Sequence, residues 1–239
     1  MSRDAIAAMH EDSLLETVST IYKRISIAAM KADRNPEDIA LIAVTKTVGL
    51  RHIQEAIDLG LRMFGENRVQ EAKEKIAVLK NVPEKLSWHM IGHLQRNKAK
   101  YAVSMFDLIH SVDSIELAHD INKQAALIGK VQDILIEVKL SPEKSKHGAS
   151  KDLLSDLCRA VSSMKNVNLK GLMTIPPFFE NHKDARPYFR ELRELRDDAE
   201  ALGLHLPELS MGMSHDFEIA IEEGATLLRI GTAIFGERR

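Results

Sequence analysis

The chain has 239 residues, 44% of them hydrophobic and 28% charged. That is the balance of a folded globular protein and close to the roughly 250 residues of one α/β barrel. A formal net charge of −2, from 33 basic and 35 acidic residues, excludes a global field that would recruit nucleic acid or an anionic membrane. A single cysteine, Cys158, excludes an internal disulfide framework, and no apolar run reaches the roughly 20 residues of a membrane-spanning helix. The opening MSRDAIAAMHEDS lacks an apolar stretch followed by a small-residue cleavage site, so the expectation is a soluble cytoplasmic protein.

Residues 13–32 place Leu14, Val18, Ile21, Ile25 and Ala28 at helical spacing, which predicts an amphipathic helix within an N-terminal extension, 1–35. After Asn35-Pro36, short apolar runs alternate with longer helical stretches. Strands are predicted at 39–45, 61–65, 86–91, 108–112, 131–140, 169–175, 209–213 and 227–235. Helices are predicted between them at 50–59, 69–79, 96–104, 114–127, 151–164, 185–202 and 217–223, with Gly60 and Gly224 as stop signals. Eight such alternations predict a closed (βα)₈ TIM barrel, with 1–239 as one domain. An open doubly wound sheet is the alternative, and the lack of a long insertion favours closure. Residues 141–150 (SPEKSKHGAS) are the most polar connection and a candidate flap.

In such barrels the chemistry gathers at the C-terminal ends of the strands. The candidates there are Thr45-Lys46, Glu66-Asn67, His89 to His93, Ser111 to Asp113, Ser210 to Ser214 and Arg229 to Thr232. Lys46 follows a buried apolar run; burial disfavours the ammonium form, and the neutral amine is what attacks an aldehyde. The plain alternative is a lysine whose head snorkels to solvent. The stretch Ser210-Met-Gly-Met-Ser214 precedes a helix, and Arg229-Ile-Gly-Thr232 lies on the next strand. Phosphate sites of barrels form between the loops after strands seven and eight, although N-capping by Ser214 would use the same residues.

No Walker A or Gly-x-Gly-x-x-Gly pattern supports a nucleotide. His89 and His93 are interrupted by Gly92 and lack a His-Glu-x-x-His arrangement, so no metal site is expected and His89 is read as a pocket or hydrogen-bonding residue. Glu137 and Lys139 alternate with Ile136 and Val138 and are read as an interior structural ion pair. Trp88 and Cys158 are read as core, and the charged helix 190–200 as a solvated face.

The runs LIAVTK (41–46), FGENRVQE (64–71), WHMIGHLQRNK (88–98), GLMTIP (171–176), LSMGMSHDFEIAI (209–221) and RIGTAIFGER (229–238) resemble the YggS/PROSC family of pyridoxal phosphate homeostasis proteins. The resemblance runs from about residue 13 to the C-terminus. It implies the barrel of the alanine racemase N-terminal domain, standing as a single domain. By this resemblance Lys46 carries pyridoxal 5′-phosphate (PLP) as a Schiff base. Ser210, Ser214, Gly231 and Thr232 hold the phosphate, Arg229 faces the pyridine nitrogen, and Asn67 and His89 line the pocket. Two positions depart from the pattern: His215 stands where the family commonly has Asp, and Val48 where some members have a second lysine.

A guanidinium donates but cannot accept a hydrogen bond, so Arg229 against the ring nitrogen favours the unprotonated ring, a poor electron sink. A two-base racemase also needs an acid/base group on the opposite face. Tyr22, Tyr101 and Tyr188 all sit in helical patterns, away from strand ends. The expectation is therefore a non-catalytic PLP carrier or buffer, with PLP-dependent apoenzymes as recipients and a monomeric or weakly dimeric state. A PLP-dependent amino-acid racemase or decarboxylase is the alternative. A cofactor-free Schiff-base aldolase and a regulatory interaction protein are more distant readings.

Overall fold

The eight apolar runs become eight parallel strands that close in chain order. They are β1 (Ala40–Val44), β2 (Met63–Glu66), β3 (Ser87–Met90), β4 (Leu108–Val112), β5 (Gln132–Glu137), β6 (Val167–Met173), β7 (Glu208–Ser210) and β8 (Leu227–Ile230), with β8 paired back onto β1. The structure, a computed structural model, describes residues 3–141, 143 and 147–237, with side chains from residue 14 onward. Of the candidate flap, residues 142 and 144–146 lie outside the described residues.

Around the barrel lie α2 (Leu50–Asp58), α3 (Val69–Leu79), α4 (Ala99–Met105), α5 (Ile115–Leu127), α6 (Lys151–Ser162), α7 (Arg186–Ala201) and α8 (Phe217–Glu222). A short α9 (Thr232–Phe235) follows β8, and α1 (Arg3–Lys31) precedes β1. The first helix buries Leu14, Val18, Ile21, Ile25 and Ala28. It is clamped to α8 by Arg24–Glu218 at 2.6 Å and Lys31–Glu222 at 2.5 Å. It begins ten residues before the predicted start; 3–12 is rich in good helix formers but lacks the apolar periodicity that marks 14–28. Among the described residues no helix is long and apolar enough to cross a membrane.

Alternation along the strands sorts the barrel interior into layers. Ile42, Leu108, Leu135, Met173 and Leu227, from five different strands, pack together as one apolar plug inside the barrel. Two residues further along their strands, toward the C-terminal ends, stand His110, Glu137 and Arg229, all buried. A polar layer therefore rests on an apolar one, directly beneath the mouth.

Three elements differ from the sequence reading. The strand predicted at 227–235 ends at Ile230, and 232–235 is helical. An apolar run alone does not separate the two, and Gly231 marks the break. A Cβ on Gly231 would lie 3.2 Å from the Val44 side chain, so this close approach of β8 to β1 favours glycine. The strand predicted at 209–213 ends at Ser210, because Gly212 turns the chain at φ +92°, and a Cβ there would meet Ala220 at 2.6 Å. The stretch predicted as a strand to residue 140 stops at Glu137.

The face of α7 is not simply solvated. Arg186, Arg190 and Arg193 converge on the Glu223 carboxylate at 2.7, 3.2 and 3.1 Å.

Candidate functional site

Lys46 sits one residue beyond Thr45 at the end of β1, half-buried, in a tight turn in which Thr47 takes a positive φ of 61°. Both neighbours are tied down. The Thr45 hydroxyl donates to Glu66 Oε1 at 2.6 Å, and the Thr45 carbonyl accepts from Lys75 Nζ at 2.6 Å. The Thr47 amide donates to Glu71 Oε1 at 2.5 Å. Lys75 completes the cluster, 2.7 Å from Glu66 and 2.6 Å from Glu71. Burial pushes the Glu66 carboxyl upward, opposed by its bonds to Lys75 and Thr45. Glu71 is less buried; although burial opposes it, Lys75 and the Thr47 amide hold its carboxyl below the usual range. The turn that presents Lys46 is thus fixed from below by three charged side chains.

Across the interior runs a second polar system. Arg229 Nη1 donates to Ser210 Oγ at 2.5 Å, and its Nη2 donates to the Thr174 carbonyl at 2.8 Å. Ser210 Oγ lies 2.9 Å from His110 Nδ1, His110 Nε2 lies 3.0 Å from His89 Nδ1, and His89 Nε2 lies 3.0 Å from Ser87 Oγ. Burial pushes His89 down to about 4, and His110 goes well below its ordinary value. Both rings are therefore neutral near pH 7, each donating through one nitrogen and accepting through the other. The polarity that orphans no donor runs from Arg229 through the Ser210 hydroxyl to His110, then to His89 and Ser87. Burial also lowers Arg229, to about 10, against the opposing fields of Glu137 and Asp216, so it remains a cation at neutral pH.

The predicted residues fall into place unevenly. Asn67 lines a cavity of about 250 Å³ at the mouth, with Ile91, Gly92, Glu137 and Ile175. Its Oδ1, and Glu66 Oε2, are buried oxygens without a hydrogen-bond partner among the described residues. Gly231 and Thr232 line a neighbouring cavity of about 470 Å³ with Thr47, Val48 and His52. Ser214 reaches the same turn, its Oγ accepting from the Ala233 amide at 3.1 Å. Ser210 is different: it is fully buried and engaged by Arg229 and His110. His89 belongs to the relay, not to the lining of either cavity. Val48 packs against the core, and His215 is exposed, edge-on to Phe178. Glu137 is buried and acts on Arg229, and with Lys139 it lines the mouth. Trp88 packs on Phe64, and the buried Cys158 thiol is pushed up to about 11, which makes it inert.

Sequence reasoning missed Lys75 and His110. Glu71 and Lys75 lie four apart on α3, a legible pair, but nothing local says that the pair reaches under the β1 turn. His110 was legible as a polar residue inside a buried strand, which demands a partner. His93 also gains company: its ring stacks on His147, centroids 3.8 Å apart, and its Nδ1 lies 3.6 Å from Asp113 Oδ2. Another cavity, of about 450 Å³ between α6 and α7, is lined by Leu154, Cys158, Leu195 and Ala199 on the outside of the barrel, away from the strand ends.

The profile of the alanine racemase N-terminal domain family matches residues 19–239. The pyridoxal phosphate homeostasis protein of Aquifex aeolicus is 48% identical over 94% of this chain and 98% of its own. That of Pseudomonas aeruginosa is 41% identical over 95% and 96%. Among solved structures, PipY of Synechococcus elongatus with PLP bound superposes with a TM-score of 0.83 at 37% identity, covering 93% of this chain and 100% of that one. An alanine racemase of Clostridium difficile, at 15% identity and a TM-score of 0.71, shares the fold over 95% of this chain and 57% of its own.

Proposed function

Because the chain belongs to the alanine racemase N-terminal domain family and, within it, to the pyridoxal phosphate homeostasis proteins, we propose that it binds PLP on Lys46 and serves PLP homeostasis as a carrier without turnover. The observation that carries this reading is the immobilised turn at Lys46, locked at Thr45 and Thr47 by Glu66, Lys75 and Glu71. A covalent anchor needs an amine held at one place on the mouth, and that cluster provides it. The donor set fits the cofactor. Asn67 offers a buried Oδ1 without a partner among the described residues, Arg229 is a fixed cation, and Ser214 meets the Gly231–Thr232 turn where a phosphate cradle would form. Ser210 enters the proposal as the residue that orients Arg229, with the phosphate left to Ser214, Gly231 and Thr232.

When bound, PLP supplies a reactive aldehyde and an electron-accepting ring. Arg229 restrains that ring. Its guanidinium can only donate, and burial leaves the neutral imidazoles of the relay too weakly basic to take its proton at neutral pH. Tyr22, Tyr101 and Tyr188 lie on α1, α4 and α7, outside the barrel, so none of the three tyrosines is placed to act as a second catalytic base. Delivery to PLP-dependent apoenzymes, as a monomer or weak dimer, completes the proposal.

The test is an absorption spectrum before and after borohydride, with peptide mapping and a Lys46→Ala control. We expect an imine band abolished by borohydride and a phosphopyridoxyl mass on Lys46. A protein left colourless by PLP, with no adduct on Lys46, overturns the reading. Exchange of an amino-acid α-hydrogen with solvent deuterium, dependent on Lys46, would overturn the carrier role in favour of a racemase or decarboxylase.

A further inference from the structure

Three side chains at the mouth have no part in the reading above. His93 follows β3, Asp113 follows β4, and His147 precedes α6, yet their candidate ligand atoms all lie within 4.8 Å of one another. We propose that His93, Asp113 and His147 form a divalent transition-metal site of the zinc class that bridges these three loops.

The ligand chemistry comes first. Two imidazoles and one carboxylate are a zinc donor set, with a fourth, open position for water. Bonds of about 2.0–2.1 Å set ligand atoms roughly 3.4 Å apart in a tetrahedron. Separations of up to 4.8 Å need a contraction of at most about 1.4 Å and a tilt of the stacked rings, within reach of side chains rotating about χ1 and χ2. His93 and His147 are both exposed. The 3.6 Å from His93 Nδ1 to Asp113 Oδ2 is too long for a hydrogen bond, so this pair does not already satisfy each other.

The supporting backbone is fixed at all three corners. The Ser111 hydroxyl donates to the Gly92 carbonyl at 2.6 Å, and Gly92 is packed so closely on Asn67 that a Cβ would lie 2.4 Å from its carbonyl oxygen. The Ser114 hydroxyl donates to Asp113 Oδ1 at 3.1 Å, which leaves Oδ2 turned toward His93. Such an outer contact is how a ligating carboxylate is aimed. Beside His147, Gly148 sits at φ +121° with no room for a Cβ, which would be 2.7 Å from the Lys139 amide. Next to it, Lys139 N donates to Ala149 O and Ala149 N donates to Glu137 O, both at 2.8 Å. The two imidazoles also line the mouth cavity that holds Asn67 and Glu137. On the reading of that mouth as the PLP site, an ion here would sit beside the cofactor, held by two imidazoles of the cavity lining.

Equilibrium dialysis against Zn²⁺, with elemental analysis, tests the site in the whole protein and in His93→Ala, His147→Ala and Asp113→Asn. We expect one zinc per chain, with affinity falling at least tenfold in each variant, and with Co²⁺ the strong visible bands of a tetrahedral site, lost in the same variants. His93 and His147 are exposed, and the half-buried Asp113 is replaced by the near-isosteric Asn, so the variants keep the fold; unchanged circular dichroism checks this. The Lys46→Ala protein separates the two readings, because a site made by the chain persists there whether or not PLP binds. Zinc binding that survives all three ligand substitutions, or that vanishes in Lys46→Ala alone, overturns the proposal.

Discussion

Two buried polar systems share the mouth of the barrel and meet the cost of burial in opposite ways. Beneath Lys46, Glu66, Lys75 and Glu71 are held together as charges. On the far side, His89 and His110 are held as neutral rings, and Arg229 is the cation at the end of their chain. The difference shows in how each responds to protons. Burial raises Glu66, so the native protein binds that proton before the unfolded chain does. Its contribution to stability therefore falls as pH rises from the ordinary carboxylate value through the raised one. His89 and His110 are lowered, so the unfolded chain binds their protons first. Their contribution is complete above about 6.5, the ordinary histidine value, and is lost as pH falls toward the lowered values. Glu66 alone gains from mild acid; Glu71, whose carboxyl is held low, and the relay are both weakened by it.

The largest break in this comparison is Lys75→Met, which leaves Glu66 fully buried without its cation. Removing one partner of a buried pair costs about 3–5 kcal/mol. We expect a loss of that order at pH 8, read from the urea midpoint, and a smaller loss near pH 4.5, where Glu66 takes up a proton and no longer needs the ammonium. A loss of equal size at both values would mean that packing of the lysine stem, not charge, holds this corner.

The relay gives the opposite slope. With His89 lowered from 6.5 to about 4, and each unit equivalent to about 1.4 kcal/mol, this ring alone removes on the order of 3 kcal/mol of stability by pH 4. In His89→Gln the amide keeps one of the two hydrogen bonds and cannot titrate. We expect about 1–2 kcal/mol lost at pH 7.5, the cost of one buried bond, together with a flatter acid limb. An acid limb as steep as in the native protein would assign the pH response to groups outside the relay.

How far each system could be read beforehand follows from the range of its contacts. Strands were legible where a parallel strand covered on both faces is a near-continuous apolar run, as in Ala40–Val44. Lys46, Asn67, Ser214, Gly231 and Thr232 were legible as candidates because the barrel rule names the strand ends, and the family resemblance singled them out. The error at 227–235 arose where an apolar run continues from strand into helix, with one glycine as the only mark. The relay was not legible, because its bond from His110 to Ser210 spans 100 residues and depends on the barrel closing. The same holds for His147, which meets His93 only across the strand ends.

The smallest effect sharpens the comparison most, because it separates support of the fold from support of the site. Glu71 is half-buried and accepts from both the Thr47 amide and Lys75. In Glu71→Gln the shape and one carbonyl oxygen remain, so the cost is about 1 kcal/mol, the difference between charged and neutral acceptors. Glu66 still holds Lys75 and Thr45, so that cost falls mainly on the far side of the Lys46 turn. We expect PLP affinity, measured by titrating the imine band, to weaken by up to about fivefold, that energy expressed as a dissociation constant, with a fall in urea midpoint much smaller than in Lys75→Met. If the midpoint falls and the affinity does not, the charged cluster supports α3 and β1 without setting the position of Lys46. The cluster and the relay would then differ in kind: one stabilises the fold, and the other alone tunes the site.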